Sequence, residues 1–193
     1  GTNLQVTAGI VTTGTGVLTV TMSGTATISN DADLTADGAV SVTANGGITI
    51  GGDVTTTNDN ITFVSKTVLS QDIAVDSGSG VGDIAFNSTI DGTTTNTESL
   101  SLNAGSLGRI DIRGPVGNLV PLKTLRIVNS NGAAFGLTDT DSIIAGTSIV
   151  IESSRPGADI VFNGAVITNQ LLTYSDVTHV NDAYDLFILG SDT

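Results

Sequence analysis

Gly82-Asp-Ile-Ala-Phe-Asn-Ser-Thr-Ile90 and Gly108-Arg-Ile-Asp-Ile-Arg-Gly-Pro-Val116 are one text written twice. Each copy is followed by a second matching piece, Ser99-Leu-Ser-Leu102 after the first and Thr124-Leu-Arg-Ile127 after the second. Ile84 falls on Ile110, Phe86 on Ile112 and Ile90 on Val116, each with a shift of 26 residues. Leu100 falls on Leu125 and Leu102 on Ile127 with a shift of 25. Apolar residues two apart place their side chains on one face of a strand. A period near 25 built from such pairs is a repeat of short strands, not of helices.

Working outward, two apolar signatures recur. The longer, apolar-x-apolar-x-x-x-apolar, occurs at Ile48/Ile50/Val54, Ile84/Phe86/Ile90, Ile110/Ile112/Val116 and Ile160/Phe162/Val166. The shorter, apolar-x-apolar, occurs at Leu18/Val20, Val40/Val42, Ile61/Phe63, Leu100/Leu102, Leu125/Ile127, Ile149/Ile151 and, more loosely, Leu172/Tyr174. Taken as one series, the short strands recur every 21 to 25 residues, except for a gap of 39 between Ile61 and Leu100. That gap reads as two shorter turns, partly filled by Ile73/Val75.

A repeat that buries one face only against its neighbours stacks into a solenoid. The chain is therefore expected to be all-β, a parallel β-helix of roughly eight coils and about 40 Å at the ~4.8 Å spacing between strands. No sustained helical period is present, and Thr and Gly are poor helix formers. A β-sandwich also gives short alternating strands, but it needs no copied text. Bends are expected at Asn45-Gly46-Gly47, Gly51-Gly52-Asp53, Asp91-Gly92, Asn131-Gly132 and Asn163-Gly164, residues that tolerate positive φ. Asp91–Ser99 and Thr138–Ser142 read as longer loops leaving the rod. Residues 1–193 read as a single segment of a longer chain or filament, with 171–193 as an end coil or cap around Leu186-Phe-Ile-Leu189.

Composition narrows the function. The chain is 39% hydrophobic but only 4% aromatic, so its core must be built from Ile, Val, Leu and Ala. Charged residues are 13%, which leaves Thr, Ser, Asn and Gly to cover the surface. A net charge of −13, from 19 acids and 6 Lys and Arg, argues against nucleic acid, whose phosphates need a basic face. It also disfavours docking on anionic lipid. No run approaches the ~18 apolar residues of a membrane helix. The chain starts on Gly1 without a secretory signal and reads as a mature, trimmed or recombinant segment. With no cysteine there is neither disulfide nor thiolate chemistry.

Gly82–Val166, most clearly in Gly82-Asp-Ile-Ala-Phe-Asn-Ser-Thr-Ile-Asp-Gly-Thr-Thr-Thr-Asn-Thr-Glu-Ser-Leu-Ser-Leu-Asn-Ala-Gly-Ser106, resembles repeats of very long bacterial surface proteins of the filamentous-haemagglutinin type. The resemblance implies a right-handed parallel β-helix, an extracellular or cell-surface location and a structural or adhesive role. That family's secretion-domain text, of the Asn-Pro-Asn-Gly-Ile kind, is absent, and its repeats have no catalytic residue to carry over.

Gly78-Ser-Gly-Val-Gly82-Asp83 partly resembles one calcium-binding nonapeptide repeat, but such sites need stacked copies; it reads as a turn between coils. Asp31, Asp33 and Asp37 offer oxygen ligands suited to Ca²⁺, but without the closing Glu of an EF-hand they read as a solvated turn. Asp139 with Asp141 is weaker still. Asp83 and Asp111 beside Arg109 and Arg113 resemble the carboxylate groove that a carbohydrate-cleaving β-helix needs; the preferred reading is a surface ion pair between coils, Asp83 with Arg109. His179, the only histidine, reads as a surface or end-coil residue. Ice binding needs a straight column of Thr, and the series Thr19, Ser41, Thr62, Ser101, Arg126, Val150, Thr173 is broken. No residue is assigned a catalytic, cofactor-binding or metal role.

The sequence thus points to a non-enzymatic structural or adhesive β-solenoid segment. The alternative is a β-helix that binds or cleaves carbohydrate. The expected partner is axial, further coils or copies of the chain itself, with host or matrix glycans as candidate ligands. Gly1–Ile10 alternates like an ordinary coil and carries no charged side chain, so its end of the rod is expected to be covered.

Overall fold

The structure, a computed structural model, describes residues 1–152, 154–155 and 158–173. Tyr174, His179, Tyr184 and Leu186–Leu189 lie outside the described residues.

The chain winds as a parallel β-solenoid. Coil 1 is β1 (Leu4–Val6), β2 (Ile10–Val11) and β3 (Leu18–Met22). Coil 2 is β4 (Thr25–Ile28), β5 (Leu34–Ala36) and β6 (Val40–Ala44); coil 3 is β7 (Gly47–Ile50), β8 (Val54–Thr56) and β9 (Ile61–Phe63). Coil 4 is β10 (Thr67–Leu69), β11 (Ile73–Asp76) and β12 (Ile84–Phe86); coil 5 is β13 (Ile90–Gly92), β14 (Leu100–Asn103) and β15 (Ile110–Ile112). In coil 6, Val116 bridges Ile90 and Ile143, ahead of β16 (Leu122–Asn129) and β17 (Ala133–Phe135). Coil 7 is β18 (Ile143–Ile151) and β19 (Ile160–Phe162), and β20 (Val166–Thr168) and β21 (Leu171–Thr173) begin an eighth.

Like strands of successive coils pair in parallel and form three faces. The first runs through β1, β4, β7, β10 and β13, the second through β2, β5, β8, β11, β14, β16 and β18, the third through β3, β6, β9, β12, β15, β17 and β19. From coil 6 the first two faces merge, because the long strands β16 and β18 cross the corner between them. A bulge between Leu122 and Thr124 marks that crossing. Among the described residues no helix is long and apolar enough to cross a membrane.

The copied text folds in the register that its shifts imply. Ile84 pairs with Ile110 and Phe86 with Ile112, Ile90 bridges Val116, and Leu100 and Leu102 pair with Leu125 and Ile127. All of these side chains point inward and are at most 2% exposed. On the third face one inward column reads Val42, Phe63, Phe86, Ile112, Phe135, Phe162. Phe63 and Phe86 stack with ring centroids 4.7 Å apart and planes at 17°, and Phe135 and Phe162 with 4.9 Å and 16°. Offset stacking of this kind adds about 0.5–1.5 kcal/mol to burial alone.

Four expectations need correction. The short strands are not one series: Leu18, Val40 and Ile61 continue to Ile84 on the third face, whereas Leu100 follows Ile73 on the second. The true hydroxyl column is therefore Thr19, Ser41, Thr62, and it ends at Ala85. Ile149 pairs with Leu171, not Leu172, because the corner before β21 is one residue shorter than the pattern assumed. Finally, the longer loop at 91–99 does not leave the rod. In 91–99, the Asp91 carboxylate accepts the N–H groups of Leu119 and Val120 at 2.9 and 3.2 Å, and Lys123 N–H donates to the Glu98 carbonyl at 2.8 Å. The Glu98 carboxylate, itself buried, accepts the Thr93 hydroxyl at 2.5 Å and the Thr94 N–H at 3.2 Å. Both buried acids are thus satisfied, Asp91 by amides of the next coil and Glu98 by the loop's own donors, as burial demands.

In 138–142 the Asp141 carboxylate accepts the N–H groups of Leu137 and Thr138, both at 2.8 Å, and the Thr138 hydroxyl at 3.0 Å. The Leu137 and Thr138 donors hold its carboxyl below the ordinary carboxylate range. The folded-state pKa lies below the unfolded one, so the turn is supported above the unfolded value and loses that support as pH falls through the folded value. In an acid titration followed by NMR, the Leu137 and Thr138 amides are expected to shift together with the Asp141 side chain. Amides that stay indifferent to that titration would count against the cap.

Candidate functional site

The four residues that the sequence singled out do come together. Asp83 precedes β12, Arg109 precedes β15, Asp111 lies within β15 and Arg113 follows it. With Asn60 and Thr62 of coil 3 they line an open cleft of about 400 Å³ on the third face. Asp111 pairs with Arg113 of its own coil, Oδ2 to Nε at 2.8 Å, with both side chains substantially exposed.

Asp83 does not use Arg109 as expected. Its Oδ1 accepts the backbone N–H of Arg109 at 2.8 Å, and no ion pair joins the two side chains. Geometry decides this. Just ahead of the strand the ladder has run out, and a short side-chain oxygen from the coil before reaches the unpaired amide directly.

The same device recurs around the rod. Oδ1 of Asn3 accepts Thr25 N–H, Asp33 that of Asp53, Asp53 that of Ala74, Asn60 that of Asp83 and Asp72 that of Ser99, at 2.8 to 2.9 Å. In each case the oxygen comes from the residue just before an inward apolar position. Its target occupies the matching position one coil on. These carboxylates and amides extend the ladder beyond the strand ends and satisfy donors that would otherwise face the corner alone. Sequence reasoning missed them, although Asx followed by apolar-x-apolar or its Thr and Ala variants is present each time.

Asp83→Asn keeps the acceptor oxygen and is expected to change stability by less than about 1 kcal/mol, whereas Asp83→Ala strands the Arg109 amide and costs about 1 kcal/mol or more. Urea unfolding of the two variants separates them. Equal losses would mean that the charge, not the oxygen, matters.

Asp31 and Asp33 stand ahead of β5 and Asp37 beyond it. Among the described residues no three His, Cys, Asp or Glu side chains gather where a metal ion could sit. Gly78–Asp83 is a turn: Gly78 N–H meets Asp76 Oδ1 at 2.7 Å and Gly80 N–H meets Asn58 Oδ1 at 2.7 Å. Every described aromatic ring belongs to the core column of the third face. His179 lies outside the described residues. Compared with known proteins, the chain matches no family model, no curated protein and no solved structure.

Proposed function

We propose that this chain is a non-enzymatic structural or adhesive segment of a large extracellular bacterial surface or fibre-forming protein, similar in kind to the filamentous-haemagglutinin repeats. Its action is mechanical: a hydrogen-bonded rod that spaces, projects or assembles. The observation that carries this reading is the use of the polar side chains. Six Asx residues on the corners cap backbone amides of the next coil. Among the described residues the aromatic rings, which could stack on a sugar, are packed in the core instead, which supports the rod over a carbohydrate-cleaving β-helix.

The axial partner in this reading is a further coil. Leu4, Ile10, Leu18 and Met22 of coil 1 are only partly buried, whereas their neighbours Ala26, Leu34, Val40 and Ala44 are at most 1% exposed. No charged side chain precedes Asp31, so this edge lacks the Lys and Pro that blunt exposed strands. Three edges face one direction along the axis, and only another three-sided coil pairs all of them at once. Such a coil belongs to the parent chain or to a second copy. Electron microscopy of the native protein, with light scattering of this segment, tests the reading. Long thin rods or open-ended stacks are expected. A compact native particle with sugar-cleaving activity would refute it.

A further inference from the structure

One outward column of the second face has a self-complementary charge order. Register and the side-chain caps place Asp33, Asp53, Ala74, Ser101, Arg126 and Val150 at one position in coils 2 to 7. Read along the axis, the column is negative, negative, neutral, neutral, positive, neutral. Asp72 and Lys123 flank it, and together with Asp53, Ala74, Ser101 and Arg126 they line one shallow cleft of about 500 Å³. Asp53 and Asp72 each commit one carboxylate oxygen to a backbone amide, at 2.8 Å; the other oxygen has no hydrogen-bond partner among the described residues. Lys123 is exposed and makes no ion pair among them. Arg126 holds Glu152 through Nη2 alone, at 2.6 and 2.7 Å, leaving Nε and Nη1 free to donate. Asp53 and Arg126 stand three coils apart, about 14 Å at the spacing of paired strands, too far to meet within one molecule.

We propose that this face pairs side by side with the same face of a second copy, the two rods antiparallel. A two-fold axis in the plane of contact, lying along the strands between coils 4 and 5, generates the pair. It sets Asp53 opposite Arg126 of the second copy, and Arg126 opposite that copy's Asp53. It brings Lys123 over the stretch that carries Asp53 and Asp72. Ala74 meets Ser101 on either side of the axis, and these small side chains let the sheets approach. A parallel arrangement about this column opposes Asp53 to Asp53 and Arg126 to Arg126, so charge selects the antiparallel one. The face measures roughly 30 Å by 10 Å from strand and coil spacings, so the pair buries about 600 Å² in all, below the ~1,200 Å² of a standard stable interface. The contact is therefore weak, electrostatic and screened by salt. It is independent of the axial contact, since this pairing closes at two copies and axial stacking does not.

Sedimentation velocity of the 193-residue chain tests this at about 20 mM and about 500 mM salt, on either side of strong screening. A monomer–dimer equilibrium is expected at low salt and a monomer at high salt. Asp53→Arg and Arg126→Asp are each expected to weaken self-association about tenfold or more, and their equimolar mixture to restore a dimer, because both contacts then join opposite charges. Asp53→Arg also removes the cap on Ala74, so thermal melting accompanies it; Arg126→Asp gives up only the surface ion pair with Glu152 and carries the test if the former fails to fold. The chain has no cysteine, so Ala74→Cys mixed with Ser101→Cys reports the axis directly, by crosslinking faster than either variant alone. A wild-type monomer at low salt, or self-association indifferent to charge reversal, would each overturn the pairing.

Discussion

Phe86→Asp is expected to leave the chain unfolded at room temperature. Phe86 is 2% exposed, between Phe63 on one side and Ile112 on the other. Removing a buried Phe side chain costs about 3–5 kcal/mol, and the stacking on Phe63 adds about 1 kcal/mol to that. The carboxylate that replaces it has no cationic partner in a column built from Val, Phe and Ile, which costs several kcal/mol more or forces protonation. Total stability of a domain is about 5–15 kcal/mol, so the loss is comparable to the whole. Loss of β-sheet circular dichroism and of a cooperative melt is the expected readout. Phe86→Leu is the control: it keeps an apolar side chain and is expected to fold with a lower melting temperature. A folded Phe86→Asp variant with a normal melt would mean that the third-face column is not the core.

The sequence was most legible where a coil had been copied whole. Between Ile84 and Val116 nothing is inserted or removed inside the strands, so a single shift of 26 carries Ile84, Phe86 and Ile90 onto their neighbours. Elsewhere the corners vary. Ile48 pairs with Thr67 after 19 residues, while Val116 bridges Ile143 after 27. A fixed period cannot follow such a change. The three faces also write the same apolar-x-apolar pattern, so periodicity alone does not say which face a strand joins. That is why Ile61 and Leu100 fell into one series although they lie on different faces.

The candidate site was legible as a neighbourhood but not as chemistry. Asp83, Arg109, Asp111 and Arg113 share a cleft because they flank or occupy adjacent strands of one face. Their partners depended on which oxygen reaches which amide, a matter of a few ångströms at a corner. The repeated Asx ahead of an inward apolar residue was the available signal. It is visible at Asn3, Asp33, Asp53, Asn60, Asp72 and Asp83, and a strand-end amide without a ladder partner explains all six.

Gly105→Val is the second substitution expected to have a large effect, and it acts on the corners rather than the core. Asn103 and Asp76 are register mates, and each opens a tight turn by accepting an N–H two residues on, Gly105 to Asn103 at 3.1 Å and Gly78 to Asp76 at 2.7 Å. Asn103 Nδ2 donates to Asp76 Oδ1 at 3.1 Å, so the turns stack. Both glycines sit at positive φ, +94° for Gly78 and +66° for Gly105. A Cβ at Gly105 would strike Ser79 of the coil below and lie 2.7 Å from the Gly78 carbonyl oxygen and the Gly80 nitrogen, all backbone atoms that cannot swing aside. A β-branched residue at positive φ costs about 1–3 kcal/mol, and overpacking against a fixed neighbour about 1–3 kcal/mol more. The expected loss is therefore about 2–6 kcal/mol, with the damage spreading to coil 4, because the strike falls on its turn. Hydrogen exchange should show the amides of Ser106, Leu107 and Gly108, which donate to Ser79 and Gly80, losing protection first. Gly14 is the matched control: it too has positive φ, +69°, but a Cβ there meets nothing within 4 Å. Gly14→Val is expected to pay the backbone strain alone. Equal losses at the two positions would show that backbone strain, and not the stacking of coil on coil, sets the cost.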